Sequence, residues 1–458
     1  MDKIDNRKTH TSIVRRKRPD GTYYVQRITS VYNPKIQNNS VIKSETLGIL
    51  PAGETDLSKL EPITKKKKKA ASTVRDVNTG LLDPRVPYLI QYPLDLVLLV
   101  IVLSNLAGYS SDYQVAQYWK ANRKIFERWF EDFPHQDISH DTVRRLVKVL
   151  GRNNAKDLIE RFTRPLLEQY STRVVAIDGQ AVRAAITSKQ SRYVLNVYDA
   201  ENEVCLQQKL IGEKNNEITE AVNVLEGLDL TGAVITCDAL NTQTKLARAV
   251  IEDKHADYCF ALKENQDHLY KEVQGWFKTR KRFEAKCSIE ENIGHGRQEK
   301  REIAVLPAQL LQKLNAELLG KWAGLEDGCV VQAKTKRSLD TGAESEDVRY
   351  YITSLNYDKR YIAQVLARII RRHWSIENNL HWVLDVVFRQ DEMQCRNSDY
   401  LTGRTLINKV VLNLMSKLQI AEEKTTGKAS VSKPAMKAML SAPEQTIALL
   451  AGLYRKNL

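Results

Sequence analysis

Three acidic residues occupy positions that suit a metal-dependent chemistry on phosphodiesters. Asp178 follows the β-branched run 174–177, Asp238 follows the apolar run 234–237, and Glu377 lies in a stretch with helical periodicity. Phosphodiester cleavage needs a nucleophilic oxygen, relief of charge on phosphorus and a stabilised leaving group, and two divalent ions supply all three. Because hard ions such as Mg²⁺ prefer oxygen ligands, clustered carboxylates would be needed to hold them.

The order of the predicted elements links these acids. An Asp after an apolar strand is more often a turn residue or a helix cap, so neither aspartate decides the matter alone. The patterns predict strands at 174–177, 193–198 and 204–211, a helix at 217–228, a strand at 234–237, a helix at 242–252 and a strand at 258–262. This is the strand and helix order of an RNase H-like core, and we expect the three carboxylates within about 4 to 7 Å of one another, as paired metals require.

A polar stripe runs along the predicted helix over residues 361–387. His373, Glu377, His381 and Asp385 follow one another at intervals of four residues, so neighbours share a face. A zinc site is one alternative, but the histidines are eight residues apart, unlike the pair in HExxH. A solvated polar face is another. We favour Glu377 as a hard-metal ligand with both histidines near substrate phosphate, and Trp382 either in the core or stacked on a base.

The charge of the chain predicts a polyanionic partner. The 458 residues include 70 Lys and Arg against 56 Asp and Glu, a net +14. Residues 1–70 alone hold 16 basic and 7 acidic residues, including the cluster Arg15, Arg16, Lys17 and Arg18. A lysine run at 65–69, which begins Lys65, Lys66 and Lys67, is either a solvated tether or a phosphate contact.

Cysteine spacing and the N-terminal sequence predict a reduced, intracellular protein. The six cysteines include no two within twenty positions of each other, so there is no CxxC zinc or redox motif. The first thirty residues are polar and charged, unlike a signal peptide, and no apolar run is long enough to span a bilayer.

The composition changes along the chain in a way that predicts an α/β protein of six segments. They are a basic N-terminal arm with a small hairpin and Lys-rich linker (1–75), a helical DNA-binding domain (76–170), the first part of an RNase H-like core (171–263), a β-rich insertion (264–357), the second part of the core with the Glu377 helix (358–425), and a helical tail (426–458).

Several short strings stand in fixed order between residues 82 and 415. They are LDPR at 82–85, AIDG at 176–179, EKNNEI at 213–218, LDLTG at 228–232, TCDAL at 236–240, LKENQ at 262–266, GHGR at 294–297, HWSIEN at 373–378 and LHWVLD at 380–385. On these strings the chain resembles insertion-sequence transposases of the DDE type, in the H-repeat-associated (ISAs-type) branch. The resemblance implies an RNase H-like catalytic core with a β-rich insertion, and it maps the catalytic and metal-binding triad onto Asp178, Asp238 and Glu377.

The resemblance also implies cofactors and partners. It implies two Mg²⁺ ions, with Mn²⁺ able to substitute, and double-stranded DNA in the form of terminal inverted repeats and target DNA. It implies a homodimer in the synaptic complex. Candidate DNA contacts beside the basic clusters are Lys263 and the His295 and Arg297 turn, together with His373, His381 and Trp382.

The chain departs from related branches at basic positions. Those branches usually carry Arg four residues before the glutamate and Lys seven after it, where this chain has His373 and Leu384. They often have Lys after the Asp-Gly pair and Arg-Gly-Ser a little later, where this chain has Gln180 and then Arg-Ala-Ala at 183–185. These changes affect substrate contacts and leave the predicted metal ligands in place.

Two other functions use the same residues. A domesticated, sequence-specific DNA-binding protein would keep the basic arm and helical region without cleaving DNA. A nuclease acting on RNA:DNA hybrids would keep the acids, although the large insertion and basic arm favour a transposase.

The lysine run at 65–69 allows a direct test. If these lysines contact phosphates, replacing all five with Gln should weaken DNA binding for every sequence and flatten its salt dependence, by about 0.9 in the log–log slope per lost duplex contact. Replacement with five Arg should preserve the slope. An unchanged slope in the Gln variant would mean that the run is only a tether.

Overall fold

The computed structural model describes most of the chain. The described residues are 9–17, 22–33, 38–60, 83, 85, 90–130, 133–152, 156–170, 172–182, 193–211, 217–279, 285–294, 297–339, 342–393, 395, 397–429 and 431–455. Five predicted DNA contacts lie outside these residues, namely Arg18, Lys65, Lys66, Lys67 and His295.

The N-terminal region forms a three-stranded antiparallel sheet. Its strands are β1 (Thr9–Lys17), β2 (Tyr23–Asn33) and β3 (Asn38–Leu50), in that spatial order. The predicted hairpin corresponds to β2 and β3. Strand β1, which carries Arg15, Arg16 and Lys17, pairs with β2 and adds a third strand to the predicted hairpin.

Five helices follow, and their bounds largely match the helical periodicity. They are α1 (Leu94–Leu106), α2 (Asp112–Ala121), α3 (Arg123–Trp129), α4 (His140–Arg152) and α5 (Lys156–Thr163). Helices α2 and α3 are separated at Asn122, whose backbone leaves the helical region. Ser139 caps α4, because its Oγ accepts from the Thr142 amide at 3.2 Å.

The central part has the predicted order of three strands, helix, strand, helix and strand. The elements are β4 (Val174–Ala181), β5 (Tyr193–Asp199), β6 (Val204–Ile211), α6 (Glu217–Asn223), β7 (Val234–Cys237), α7 (Thr244–Arg248), which continues as a π-helical turn (Ala249–Asp253), and β8 (Asp257–Leu262). Strand β4 pairs antiparallel with β5 and parallel with β7, and β8 extends the parallel part.

The predicted β-rich insertion continues the same sheet. It contains α8 (Asp267–Lys278), β9 (Lys286–Gly294), β10 (Arg297–Pro307), α9 (Gln309–Gly320), β11 (Cys329–Leu339) and β12 (Glu344–Thr353). Strand β12 pairs with β8 from Tyr350 to Thr353, so the sheet has nine strands in the order β6-β5-β4-β7-β8-β12-β11-β10-β9. The insertion therefore extends the sheet and also adds two helices.

The C-terminal part is helical. It contains α10 (Ile362–His373), two π-helical segments (Ile376–His381 and Val383–Val387), α11 (Ser398–Thr426), α12 (Lys433–Met439) and α13 (Pro443–Arg455). The predicted helix over 361–387 is thus helical, but its second half is π-helical, a form that is rare and frequent at functional sites.

Three apolar cores hold these elements together. One face of the sheet packs against α6 to α9, and the other packs against α10 and the π-helical segments. The third core is helical and joins α1 to α5 with α11, α12 and α13, so helices from separate sequence segments share one interior. Within the described part of the chain, no helix is long and apolar enough to cross a membrane.

The close crossing of α4 and α11 depends on glycine. A Cβ added at Gly403 would lie 2.0 Å from the Val147 carbonyl oxygen, so Gly403→Ala must push two backbones apart. Overpacking of this kind costs about 1 to 3 kcal/mol, and we expect a melting temperature lower by roughly 1 to 3 °C in calorimetry. Gly452→Ala in α13, where the added Cβ meets nothing within 4 Å, is the control and should not lower it. Equal melting temperatures for both variants would contradict the tight crossing.

Candidate active site

Two neighbouring parallel strands position the two aspartates. Ile177 of β4 is paired with Cys237 of β7, so Asp178 and Asp238 follow at the same edge of the sheet. Paired parallel strands lie about 4.8 Å apart, which brings these two positions close together. Side-chain reorientation is limited at Asp238, because its Oδ1 accepts from both the backbone amide and the Nδ2 of Asn241 at 3.2 Å.

The first π-helical segment adds two further groups to this edge. One ligand atom each from Asp178, Glu377 and His381 lies within 4.8 Å of the others. His381 Nδ1 is 3.4 Å from Glu377 Oε2 and 3.7 Å from Asp178 Oδ2. Two carboxylates and an imidazole form a donor set that suits a divalent cation. Among the described residues, this compact group consists of Asp178, Glu377 and His381, and Asp238 lies beside it.

The orientation of His381 is fixed from behind. Its Nε2 lies 3.1 Å from Asn196 Nδ2, and Asn196 is the residue that faces Asp178 across β4 and β5. Because Nε2 is engaged by the amide, Nδ1 is the nitrogen that faces the carboxylates. With the amide nitrogen as partner, Nε2 accepts and Nδ1 carries the hydrogen that faces the carboxylates. To bind a metal through Nδ1, His381 would instead donate from Nε2 to the amide oxygen of Asn196, the usual support of a metal-binding histidine.

The electrostatics of the cluster favour a bound cation. Burial, together with the charges of Asp238 and Glu377, raises the pKa of Asp178 to about 8. The hydrogen bond with His381 lowers the pKa of Glu377. Carboxylates that crowd each other in a desolvated site repel, and a divalent ion would remove that repulsion. The residues present therefore fit a divalent metal.

His373 contributes a neutral ring. Burial lowers its pKa to about 4, and its Nδ1 lies 3.0 Å from the hydroxyl oxygen of Thr236 on β7. A neutral imidazole at pH 7 offers a hydrogen bond to phosphate but no charge. Trp382 lies between the two π-helical segments and is 56% exposed, which leaves its ring available for stacking.

The remaining predicted contacts whose side chains are described are exposed. Lys263 directly follows β8 and is exposed, and Arg297 is exposed at the hairpin between β9 and β10, the two outermost strands on that side of the sheet. Arg15 is exposed on β1 of the N-terminal sheet. None of the three belongs to the group of ligand atoms around Asp178.

Three polar residues around the site were not predicted from the sequence as ligands or DNA contacts. Glu217 is buried at the start of α6, Asn241 bridges Glu217 and Asp238, and Gln180 Nε2 donates to Asp385 Oδ1 at 2.8 Å. His381 could have been identified as a ligand candidate from its spacing of four residues from Glu377. No local pattern marks the other three, because their partners are distant in the sequence.

A family model for the transposase DDE domain matches residues 169–414, more than half of the chain. The chain belongs to this family. The matched residues run from just before β4 to α11 and include all three predicted acids. This confirms the family resemblance found in the sequence strings.

Curated relatives from Escherichia coli match over most of their length. "Putative transposase YncI" of the O157:H7 strain is 28% identical over 71% of this chain and 83% of its own. "H repeat-associated putative transposase YhhI" of strain K12 is 27% identical over 73% of this chain and 88% of its own. A solved piggyBac transposase synaptic complex with hairpin DNA aligns with 80% of this chain and 82% of its own, at 10% identity and a TM-score of 0.39.

The raised pKa of Asp178 predicts how stability depends on pH in this transposase. The folded state keeps Asp178 protonated up to about pH 8, whereas the unfolded state loses this proton near the ordinary pKa of 3.8. Wild type therefore loses stability as the pH rises above about 4, and Asp178→Asn, which has no carboxyl group to ionise, does not. In EDTA, we expect the variant to melt roughly 3 to 6 °C above wild type at pH 8, with a gap that narrows toward pH 5. Scanning calorimetry across this range checks it. A variant that melts below wild type at pH 8 would contradict the burial of an unfavourable charge.

Proposed function

We propose that this transposase cleaves DNA strands at the ends of an insertion sequence and joins them to target DNA in a metal-dependent reaction. The observation that carries the proposal is the grouping of Asp178, Glu377 and His381 ligand atoms within 4.8 Å, beside Asp238, in a chain of the DDE family. Asp178 lies within β4, Asp238 directly follows β7 and Glu377 lies in a π-helical segment, and such rigid elements can hold a metal site.

The core strands support an RNase H-like assignment. Strands β4, β5 and β6 form an antiparallel meander, and β7 and β8 add in parallel on the other side of β4. The first strand therefore lies in the middle and carries Asp178, while the fourth strand carries Asp238 beside it. We propose that residues 171–263 and 358–425 make up this core and that residues 264–357 are its insertion.

The proposed metal ligands are Asp178, Asp238 and Glu377, with His381 as an additional candidate. Two Mg²⁺ ions, or Mn²⁺ in their place, would activate the attacking oxygen and stabilise the leaving one. Asn196 holds the imidazole of His381 so that Nδ1 faces the carboxylates. Asn241 holds Asp238, and the neutral His373 offers a hydrogen bond on the other side of Glu377.

The proposed substrate is double-stranded DNA, as terminal inverted repeats and as target. Lys263 at the end of β8 is the proposed phosphate contact beside the metals, and the exposed Trp382 ring is a proposed stacking surface for a base. The basic residues of β1, the lysine run at 65–69 and the Arg297 hairpin are proposed backbone contacts. Joining two element ends to one target calls for a homodimer in the synaptic complex.

Removing one metal ligand should separate cleavage from binding. We expect Asp178→Asn and Asp238→Asn to lose Mg²⁺- or Mn²⁺-dependent cleavage of terminal-repeat DNA by at least about 10³-fold, because charge relief at phosphorus is lost. Affinity for the same DNA without metal should stay within about threefold, because phosphate contacts supply it. A gel assay of labelled duplex and a mobility-shift titration measure the two quantities.

A surface acid provides the control. Asp267→Asn alters an exposed residue that pairs with Lys271 on α8, and its cleavage should equal that of wild type. Cleavage at the wild-type rate by either ligand variant would show the triad to be misassigned. If the wild-type protein binds terminal-repeat DNA but does not cleave it with Mn²⁺, the chain is instead a DNA-binding protein on a transposase scaffold.

A further inference from the structure

A fourth acidic residue is buried behind the candidate site. Glu217, the first residue of α6, is only 1% exposed, and its charge contributes to the raised pKa of Asp178. Burying a carboxylate is costly unless hydrogen bonds or a cation offset the lost hydration. Because Glu217 lies beside three other acids, its hydrogen bonds bear on how those acids are oriented.

The backbone next to Asp178 is shaped to receive the Glu217 side chain. A Cβ built on Gly179 would lie 2.1 Å from Glu217 Oε1, so no residue with a side chain fits there without displacing the carboxylate. Gly179 has an ordinary extended position in β4, and close approach is therefore the reason for glycine at this position. The carboxylate of Glu217 thus lies directly against the strand that carries Asp178.

A single buried amide connects Glu217 to Asp238. Asn241 is 0% exposed, and its Nδ2 lies 3.3 Å from Glu217 Oε2 and 3.2 Å from Asp238 Oδ1. The Asn241 backbone amide donates to the same Asp238 oxygen at 3.2 Å. One oxygen of Asp238 is therefore committed to Asn241, and that amide is itself held by Glu217.

We propose that Glu217 is a positioning residue of the divalent-cation site. It fixes the amide of Asn241, which orients Asp238 so that the other carboxylate oxygen, Oδ2, faces the cation. Its negative charge also favours the bound cation. This inference rests on the proposed function, because it assumes that Asp178 and Asp238 are metal ligands.

The test is direct binding of Mn²⁺ by the full chain without DNA, followed through the electron paramagnetic resonance signal of free Mn²⁺. Glu217→Gln keeps the shape of the side chain and an oxygen that can accept from Asn241, but it removes the charge and allows the amide to rotate. We expect Mn²⁺ affinity to fall about 10-fold, within the range typical of groups that support metal ligands. The melting temperature measured in EDTA should not fall.

A matched control lies one helical turn away. Glu220→Gln alters an acid of α6 that pairs with Lys209 on β6, and its Mn²⁺ affinity should equal that of wild type. Unchanged affinity in Glu217→Gln would overturn the proposal, and an equal loss in both variants would overturn it too, because the effect would then reflect overall charge.

A double-mutant cycle separates positioning from charge. If Glu217 acts through Asn241, Glu217→Gln should change Mn²⁺ affinity much less in an Asn241→Ala background than in wild type. Fully additive losses would contradict action through Asn241. Asp178→Asn distinguishes a failure of the Glu217 proposal from a failure of the metal site. Loss of Mn²⁺ binding in that variant with none in Glu217→Gln overturns only the role of Glu217, whereas binding that survives in Asp178→Asn overturns the metal site itself and both proposals with it.

Discussion

The crowding of carboxylates at one buried strand end is the constraint around which the site is built. Asp178 is held by β4, the middle one of the five core strands β6, β5, β4, β7 and β8, and its neighbours in space come from the end of β7, from the π-helical segment and from α6. Burial and like charges raise the pKa of Asp178 to about 8. Apolar cores on both faces of the sheet keep these acids in place although they repel each other.

The change from α-helix to π-helix is part of this arrangement. Residues four apart in an α-helix overshoot one turn of 3.6 residues, so a stripe at that spacing drifts around the helix. A π-helix has a wider turn, closed by hydrogen bonds between residues five apart, and the Trp382 amide accordingly donates to the Glu377 carbonyl oxygen. The wider turn brings Glu377 and His381 closer to alignment, so that both reach Asp178.

The strands and the helix that carry the acids follow from local sequence patterns, whereas contacts between distant residues do not. The strands that end at Asp178 and Asp238 follow from runs of β-branched residues, and the helix around Glu377 follows from its periodicity. The bridge by Asn241 joins residues from a turn, a strand end and a helix start, and no periodicity records it. For the same reason the pairing of β12 with β8, which joins the predicted β-rich insertion to the core sheet, could not be predicted from either strand alone.

The departures from related transposases share one physical consequence. Where those proteins usually carry Lys after the Asp-Gly pair, Gln180 donates to Asp385 Oδ1 at 2.8 Å and so ties β4 to the second π-helical segment. A cation that interacts with Asp385 is Lys409 of α11. It is fully buried, and burial lowers its pKa to about 8. His373, at a position where the resemblance leads us to expect Arg, is neutral at pH 7 because burial lowers its pKa to about 4. With Gln180 and the neutral His373 at these positions, less fixed positive charge lies around Asp178 and Glu377, and a divalent ion would balance the acids.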